Sequence, residues 1–244
     1  MWLNLSAIFK KLSHDPSVRA VILTGAGDRA FTAGLDVQAA SQGGQLSSTS
    51  PSDSARKANG LRRHIFEFQD CITAIEKCEK PVIVVLHGIA YGLALDMCLA
   101  CDIRFSTHTT AFSVKEVDIG IAADIGTLSR LPHSVGNHSW VKEIALSARV
   151  FGSDEALQHG LVSRVYKDKK EAVDEALKLG ALIASKSPVA VLGTKEIINY
   201  SRDRPIADGL HYTAIWNAAM LQTQDMKDAM LSGIQKTTPK FSKL

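Results

Sequence analysis

Residues 81–131, PVIVVLHGIAYGLALDMCLACDIRFSTHTTAFSVKEVDIGIAADIGTLSRL, carry the pattern from which the fold is read. Val82 to Leu86 is an unbroken apolar run rich in β-branched residues and closed by His87-Gly88. Its shortness, with Pro81 and Gly88 at its ends, predicts a buried strand rather than a helix. A turn of small residues follows, then an apolar helical pattern from about Gly92 to Ala100, then a second short strand over Asp102 to Ser106. The loop beyond carries three carboxylates, Glu116, Asp118 and Asp124, around the run GIAADIG at 120–126. Asp96 falls inside the apolar helix, where a carboxylate is costly unless it is paired or kept neutral.

Working outward, 244 residues with 45% hydrophobic content suit one large domain, or a domain with a small appendage, and an ample core. A net charge of +3, with no basic block interleaved with aromatics, argues against a nucleic-acid partner. No apolar run approaches the roughly 20 residues of a membrane span. Lys10, Lys11 and His14 interrupt any signal-peptide core. The cysteines are Cys71, Cys78, Cys98 and Cys101. Cys98-x-x-Cys101 has redox or zinc spacing, but no second pair completes a metal set, so buried free thiols in a reducing, intracellular compartment are expected and no metal site is.

Trp2 to Leu12 places Leu5, Ile8, Phe9 and Leu12 at helical spacing, and His14-Asp15-Pro16 stops that helix. Val18 to Thr24 reads as a buried strand. In Phe31 to Asp36 (FTAGLD) small residues let backbone approach a ligand closely, although this is no phosphate-binding glycine fingerprint. Ser41 to Ser54 is Ser/Gly-rich and reads as a loop within one fold. Leu61 to Glu79 is an amphipathic helix presenting Ile65, Phe68, Ile72 and Ile75. The second half turns helical: Ser139 to Ala148, Asp154 to His159, Lys170 to Lys186, a helix opened by Ser187-Pro188, then Ile206 to Gln222 and Asp225 to Gln235. Ser242-Lys243-Leu244 at the C-terminus is a receptor-read peroxisomal address on a tail expected to be solvated.

FTAGLD together with HGIAYGLALDMCLACDIRF resembles the crotonase (enoyl-CoA hydratase/isomerase) superfamily. KEVDIGIAADIGTLSRLP is similar, more specifically, to the dienoyl-CoA isomerases, which convert 3,5-dienoyl-CoA to 2,4-dienoyl-CoA in the degradation of unsaturated fatty acids. SKSPVAV, YSRD and WNAAMLQTQD extend the resemblance over nearly the whole chain. It implies an α/β fold: a spiral of ββα units over residues 1–135, a helical trimerisation region over 136–235 and a tail over 236–244. Trp216, Met220 and Leu221 would supply surface buried between subunits of a homotrimer or a dimer of trimers. The substrate would be an acyl-CoA thioester with no cofactor, and the tail would engage the peroxisomal import receptor.

The resemblance also assigns roles. Backbone N–H groups of Leu35 and Leu93 would form an oxyanion hole for the thioester enolate. Ala33, Gly34, Leu35, Asp36, Val37 and Gln38, with Leu93 and Ala94, would contact substrate. Glu116 would work at C2 and Asp124 at C6, with Asp96 supporting the charge balance; Asp118 is left as a solvated acid. Hydratases of the superfamily carry a second Glu where this chain has Asp96, and Gly at the place of Asp124. Enoyl-CoA hydratase and Δ3,Δ2-enoyl-CoA isomerase remain the alternatives within the superfamily. Family members also carry a first strand and an Arg-Pro loop ahead of the helix that begins here near Trp2. Without them CoA would be held more weakly, and a catalytically weak acyl-CoA-binding or structural subunit is the alternative of another class.

Overall fold

The structure is a computed structural model and describes residues 2–34 and 53–244. In chain order it runs α1 (Trp2–His14), β1 (Val21–Thr24), β2 (Ala30–Thr32), α2 (Ser54–Glu76), β3 (Val82–Leu86), β4 (Ile89–Tyr91) and α3 (Leu93–Ala100). Next come β5 (Ile103–Thr107), β6 (Ala111–Ser113), a 3-10 turn (Glu116–Ile119), α4 (Thr127–Ser134), α5 (His138–Ser147), β7 (Phe151–Gly152) and α6 (Ser153–Gln158). The chain ends with β8 (Arg164–Tyr166), α7 (Lys169–Ala184), α8 (Pro188–Ser201), α9 (Ile206–Met220) and α10 (Gln224–Gln235).

The strand read from Val82–Leu86 is central. β3 lies between β1 and β5 in a parallel sheet of order β1-β3-β5-β8, and every residue of it is buried. Burial on both faces is why the run is continuously apolar rather than alternating. With side chains pointing to opposite faces in turn, Val82, Val84 and Leu86 enter the main core with Ile72 and Ile75 of α2 and Leu95 and Leu99 of α3. Ile83 and Val85 face the other way, with Phe105, onto Ala172 and Ala176 of α7. Small residues at four-residue spacing bring α7 close: a Cβ on Gly180 would sit 3.5 Å from Ile22 Cδ1.

Each strand of this sheet but the last is followed by a short strand of a second sheet, ordered β2-β4-β6-β7 and parallel except for β7. The units β1-β2-α2 and β3-β4-α3 therefore repeat along the chain and wind up as a spiral, the α/β crotonase architecture implied by the sequence. The helical stretches from Ser139, Asp154, Lys170 and Pro188 onward all form.

Several local expectations are corrected. The first strand is shorter than Val18 to Thr24, because Val21 is the first residue to enter the ladder with β3. The small-residue turn after His87 is strand β4, paired through backbone with β2 and β6. α2 starts at Ser54, not Leu61, because the Asp53 carboxylate accepts the Arg56 N–H at 2.9 Å and caps the end; it stops at Glu76 rather than Glu79. The remainder of the Ser/Gly-rich stretch, 41–52, lies outside the described residues. Beyond residue 135, β7 and β8 complete both sheets and α7 covers one of them.

α8, α9 and α10 are less covered. Only Gly209 of α9 is buried, while Ile206, Leu210 and Ile215 are exposed, as are Met220 and Leu221 nearby. The Trp216 indole packs over Gly193 of α8 while remaining half-exposed, and Tyr212 of the same helix stacks on Tyr200 at 3.8 Å. In the tail, Leu244 lies at a small cleft lined by Val18, Pro188 and Leu192, so the terminus rests on the body while remaining exposed. No single helix among the described residues is long and apolar enough to cross a membrane.

Candidate active site

The site is assembled where the second strand of each unit hands over to a helix. β4 ends at Tyr91, and Gly92 turns the chain at φ +54° into α3. A side chain there would be strained, and its Cβ would stand 3.2 Å from Glu116 Oε1. The Gly92 N–H donates to Ser113 O of β6 at 3.0 Å, which fixes this corner to the second sheet. Leu93 and Ala94 open the helix, so their N–H groups have no acceptor within it and share the positive end of its dipole.

The other half of the sequence-read site comes from the preceding unit. After β2 the chain reaches Gly34 at φ +93°, where a Cβ would lie 3.3 Å from Tyr91 O and 3.8 Å from Gly92 Cα. Ala33 and Gly34 thus run against the turn that presents Leu93 and Ala94. Leu35, Asp36, Val37 and Gln38 lie outside the described residues.

The carboxylates converge on the same corner. Asp96 on the first turn of α3 is buried, and its Oδ1 accepts the Thr127 N–H at 2.6 Å and the Thr127 Oγ1–H at 2.7 Å. Burial pushes the Asp96 carboxyl above its usual range; the Thr127 hydrogen bonds and Arg130 act against the shift, and the charge of Asp124 adds to it. Glu116 opens the 3-10 turn, with Oε1 near Gly92 and Oε2 buried without a hydrogen-bond partner among the described residues. Burial raises its pKa first, and the charges of Asp96 and Asp124 raise it further. Asp96 and Glu116 thus both have raised carboxyl pKa values, with the Asp124 charge contributing to each, as at candidate acid/base sites.

Asp124 is exposed, on the loop before α4, and its main-chain carbonyl accepts a hydrogen bond from the Gln69 side-chain amide of α2. Asp118 stays apart, pairing with Lys115 at 2.8 Å on the surface. Arg130 on α4 reaches Glu76 Oε2 through Nε and Nη2 at 3.1 and 2.9 Å, and Thr73 Oγ1 through Nη2 at 2.9 Å. Burial works to raise the Glu76 pKa, but Arg130 and Arg202 outweigh it and hold the carboxyl below its usual range. Sequence reasoning did not single out Thr127, Arg130, Glu76 or Gln69. The signal for Thr127 was present, since a buried Asp96 demands donors and a Thr opening the next helix offers two.

All four cysteines are buried and free, and burial pushes the Cys98 thiol up to about 12, away from reactive thiolate.

This arrangement of two sheets, helices and a glycine-lined corner ringed by acids recurs in known proteins. Residues 1–243 match the enoyl-CoA hydratase/isomerase family, and the chain belongs to it. Among curated relatives, it is 46% identical over its whole length, and over 74% of the relative, to the mitochondrial Delta(3,5)-Delta(2,4)-dienoyl-CoA isomerase of Mus musculus. It is 43% identical over 96% of its length, and 83% of the relative, to the peroxisomal Delta(3,5)-Delta(2,4)-dienoyl-CoA isomerase of Arabidopsis thaliana. The crystal structure of an enoyl-CoA hydratase from Bacillus anthracis superposes with a TM-score of 0.86 at 26% identity, covering 99% of this chain and 88% of that one.

Proposed function

We propose that this chain isomerises 3,5-dienoyl-CoA to 2,4-dienoyl-CoA. The observation that carries the reading is the convergence of Glu116, Asp96 and Asp124 on the N-terminus of α3, in a chain nearly half identical to isomerases of that name. The thioester oxygen sits at the Leu93 N–H, with the Leu35 N–H as second donor, and both strengthen as charge develops there. Glu116 removes a proton from C2, and the electron pair spreads from C2 onto the thioester oxygen and, through the two double bonds, to C6. Asp124 delivers a proton to C6, and double bonds remain at C2–C3 and C4–C5. Asp96 sets the charge against which Glu116 gives and takes its proton. The CoA thioester supplies the activation, so the reaction calls for no cofactor. Ala33 and Gly34 contact the substrate, a role that the family resemblance also implies for Asp36, Val37 and Gln38.

The exposed apolar residues of α9 and α10, Ile206, Leu210 and Ile234 among them, support assembly into a trimer or a dimer of trimers. Ser242-Lys243-Leu244 supports import into the peroxisome by its receptor, the compartment named for the Arabidopsis relative; the mouse relative is named mitochondrial.

The test is conversion of purified 3,5-dienoyl-CoA set beside hydration of a 2-enoyl-CoA. Faster isomerisation is expected. Preferred hydration would favour the hydratase alternative, and binding of the thioester without turnover would leave an acyl-CoA-binding protein.

A further inference from the structure

Arg130 is placed by contacts that its own helix does not require. It lies on the first turn of α4, its N–H donating to Gly126 O at 2.9 Å, but its guanidinium turns away from solvent toward α2. There the Nε and Nη2 edge grips Glu76 Oε2, and Nη2 also reaches Thr73. Glu76 is held from the opposite side by Arg202, which ends α8. With that edge occupied, Nη1 is left facing Gly126, where an added Cβ would collide with it while standing 3.8 Å from Asp96 Oδ1. The cation and the acid therefore border the same space beside Gly126. The next residue, Thr127, is the one that donates twice to Asp96.

We propose that Arg130 is a positioning residue for proton transfer: clamped by Glu76 and Arg202, it pins the Gly126–Thr127 turn onto Asp96 and keeps a cation beside that carboxylate. The inference rests on the isomerase reading. Among the described residues, the charged groups around Asp96 are Arg130 from α4, Asp124 from the loop before it and Glu116 from the 3-10 turn, with Glu76 of α2 behind Arg130. Arg130 is the cation among these acids. Arg130 opposes the upward push that burial gives the Asp96 carboxyl, so removing it makes Asp96 hold its proton to higher pH. A grip by two N–H donors on one carboxylate oxygen and a fixed charge are both needed, which suits arginine better than lysine.

The experiment compares Arg130→Lys, Arg130→Met and the double variant Glu76→Gln/Arg130→Met. Arg130→Met alone leaves Glu76 buried against fewer cations and should melt well below the parent. The double variant removes both charges and should recover much of that loss. Its kcat should nevertheless stay about 10- to 100-fold down, as for a small misplacement of reacting groups. KM should change little, and the acid limb of the pH profile should move up by about one unit. Arg130→Lys keeps the charge, so its midpoint should match the parent while kcat falls. Parent-like kcat and midpoint in the double variant, or parent-like kcat in Arg130→Lys, would overturn the proposal. Carboxyl-carbon NMR titration of Asp96 gives a readout without substrate. An upward shift in the double variant supports Arg130's role even if no dienoyl-CoA is turned over, which would sink the isomerase reading instead.

Discussion

Glu116 and Asp96 meet under the N-terminus of α3, one half-buried and the other wholly buried, whereas Asp124 stands exposed on the loop ahead of α4. The three acids interact, yet their surroundings differ. At the closed end, burial and mutual repulsion raise the carboxyl pKa values, which suits a base that must take a carbon-bound proton near neutral pH. At the open end, solvent reaches the Asp124 carboxylate. A reaction that removes a proton at one carbon and delivers one four carbons away can use both environments.

The largest effect should come from Glu116→Gln at the closed end. Isomerisation falls about 100- to 10,000-fold with loss of a general base, yet the protein should become more stable. A carboxyl with a raised folded pKa costs stability at pH values above its unfolded value, and the cost disappears as pH falls below it. Near pH 7 the variant should gain roughly 1 kcal/mol, or about 2–4 °C in Tm, and the gain should fade toward pH 4.5, the ordinary glutamate value. The parent's kcat/KM should rise with pH through a midpoint above that value. Calorimetry against pH and a pH–rate profile check both.

Asp124→Asn should lose isomerisation over the same range, about 100- to 10,000-fold, but with Tm unchanged, because the side chain is exposed. The two ends then separate in deuterated water. Asp124→Asn should still exchange the C2 proton of substrate, since Glu116 and the oxyanion donors remain, while Glu116→Gln should not. Loss of exchange in both variants would erase the distinction between the ends.

Leu93→Pro removes the N–H proposed as an oxyanion donor at a helix position where proline is well tolerated, and Leu93→Ala is the control for the lost side chain, which packs on the main core. A loss of about 100- to 1,000-fold in kcat is expected, with thioester binding retained in a calorimetric titration. Thr127→Val is the mildest change. It removes one of two donors to Asp96, so Tm should fall by about 3–10 °C, from roughly 1.5–3 kcal/mol for a hydrogen bond to a charged group. kcat should fall about 10-fold.

The parts of this site legible in the sequence are those that long-range packing left recognisable. β3 is a continuous apolar run because both its faces are covered, and Asp96 was conspicuous as a carboxylate in an apolar helix. β2, β4 and β6 were not legible, since three-residue strands held by backbone pairing impose little side-chain pattern. α4 was hidden by Pro132 inside it, and the start of α2 by a Ser-rich approach in which only the cap at Asp53 marks the boundary. The roles of Glu116 and Asp124 rested on family resemblance; spacing alone does not show that two loop acids face one buried aspartate. The grip of Glu76 on Arg130 spans 54 residues, beyond any local pattern.

The most direct test is to incubate the protein with 3,5-dienoyl-CoA in deuterated water and analyse the product by NMR. The account predicts 2,4-dienoyl-CoA carrying deuterium at C6, delivered by Asp124 from solvent. Recovery of unreacted 3,5-dienoyl-CoA, or a hydrated 3-hydroxyacyl product, would contradict it.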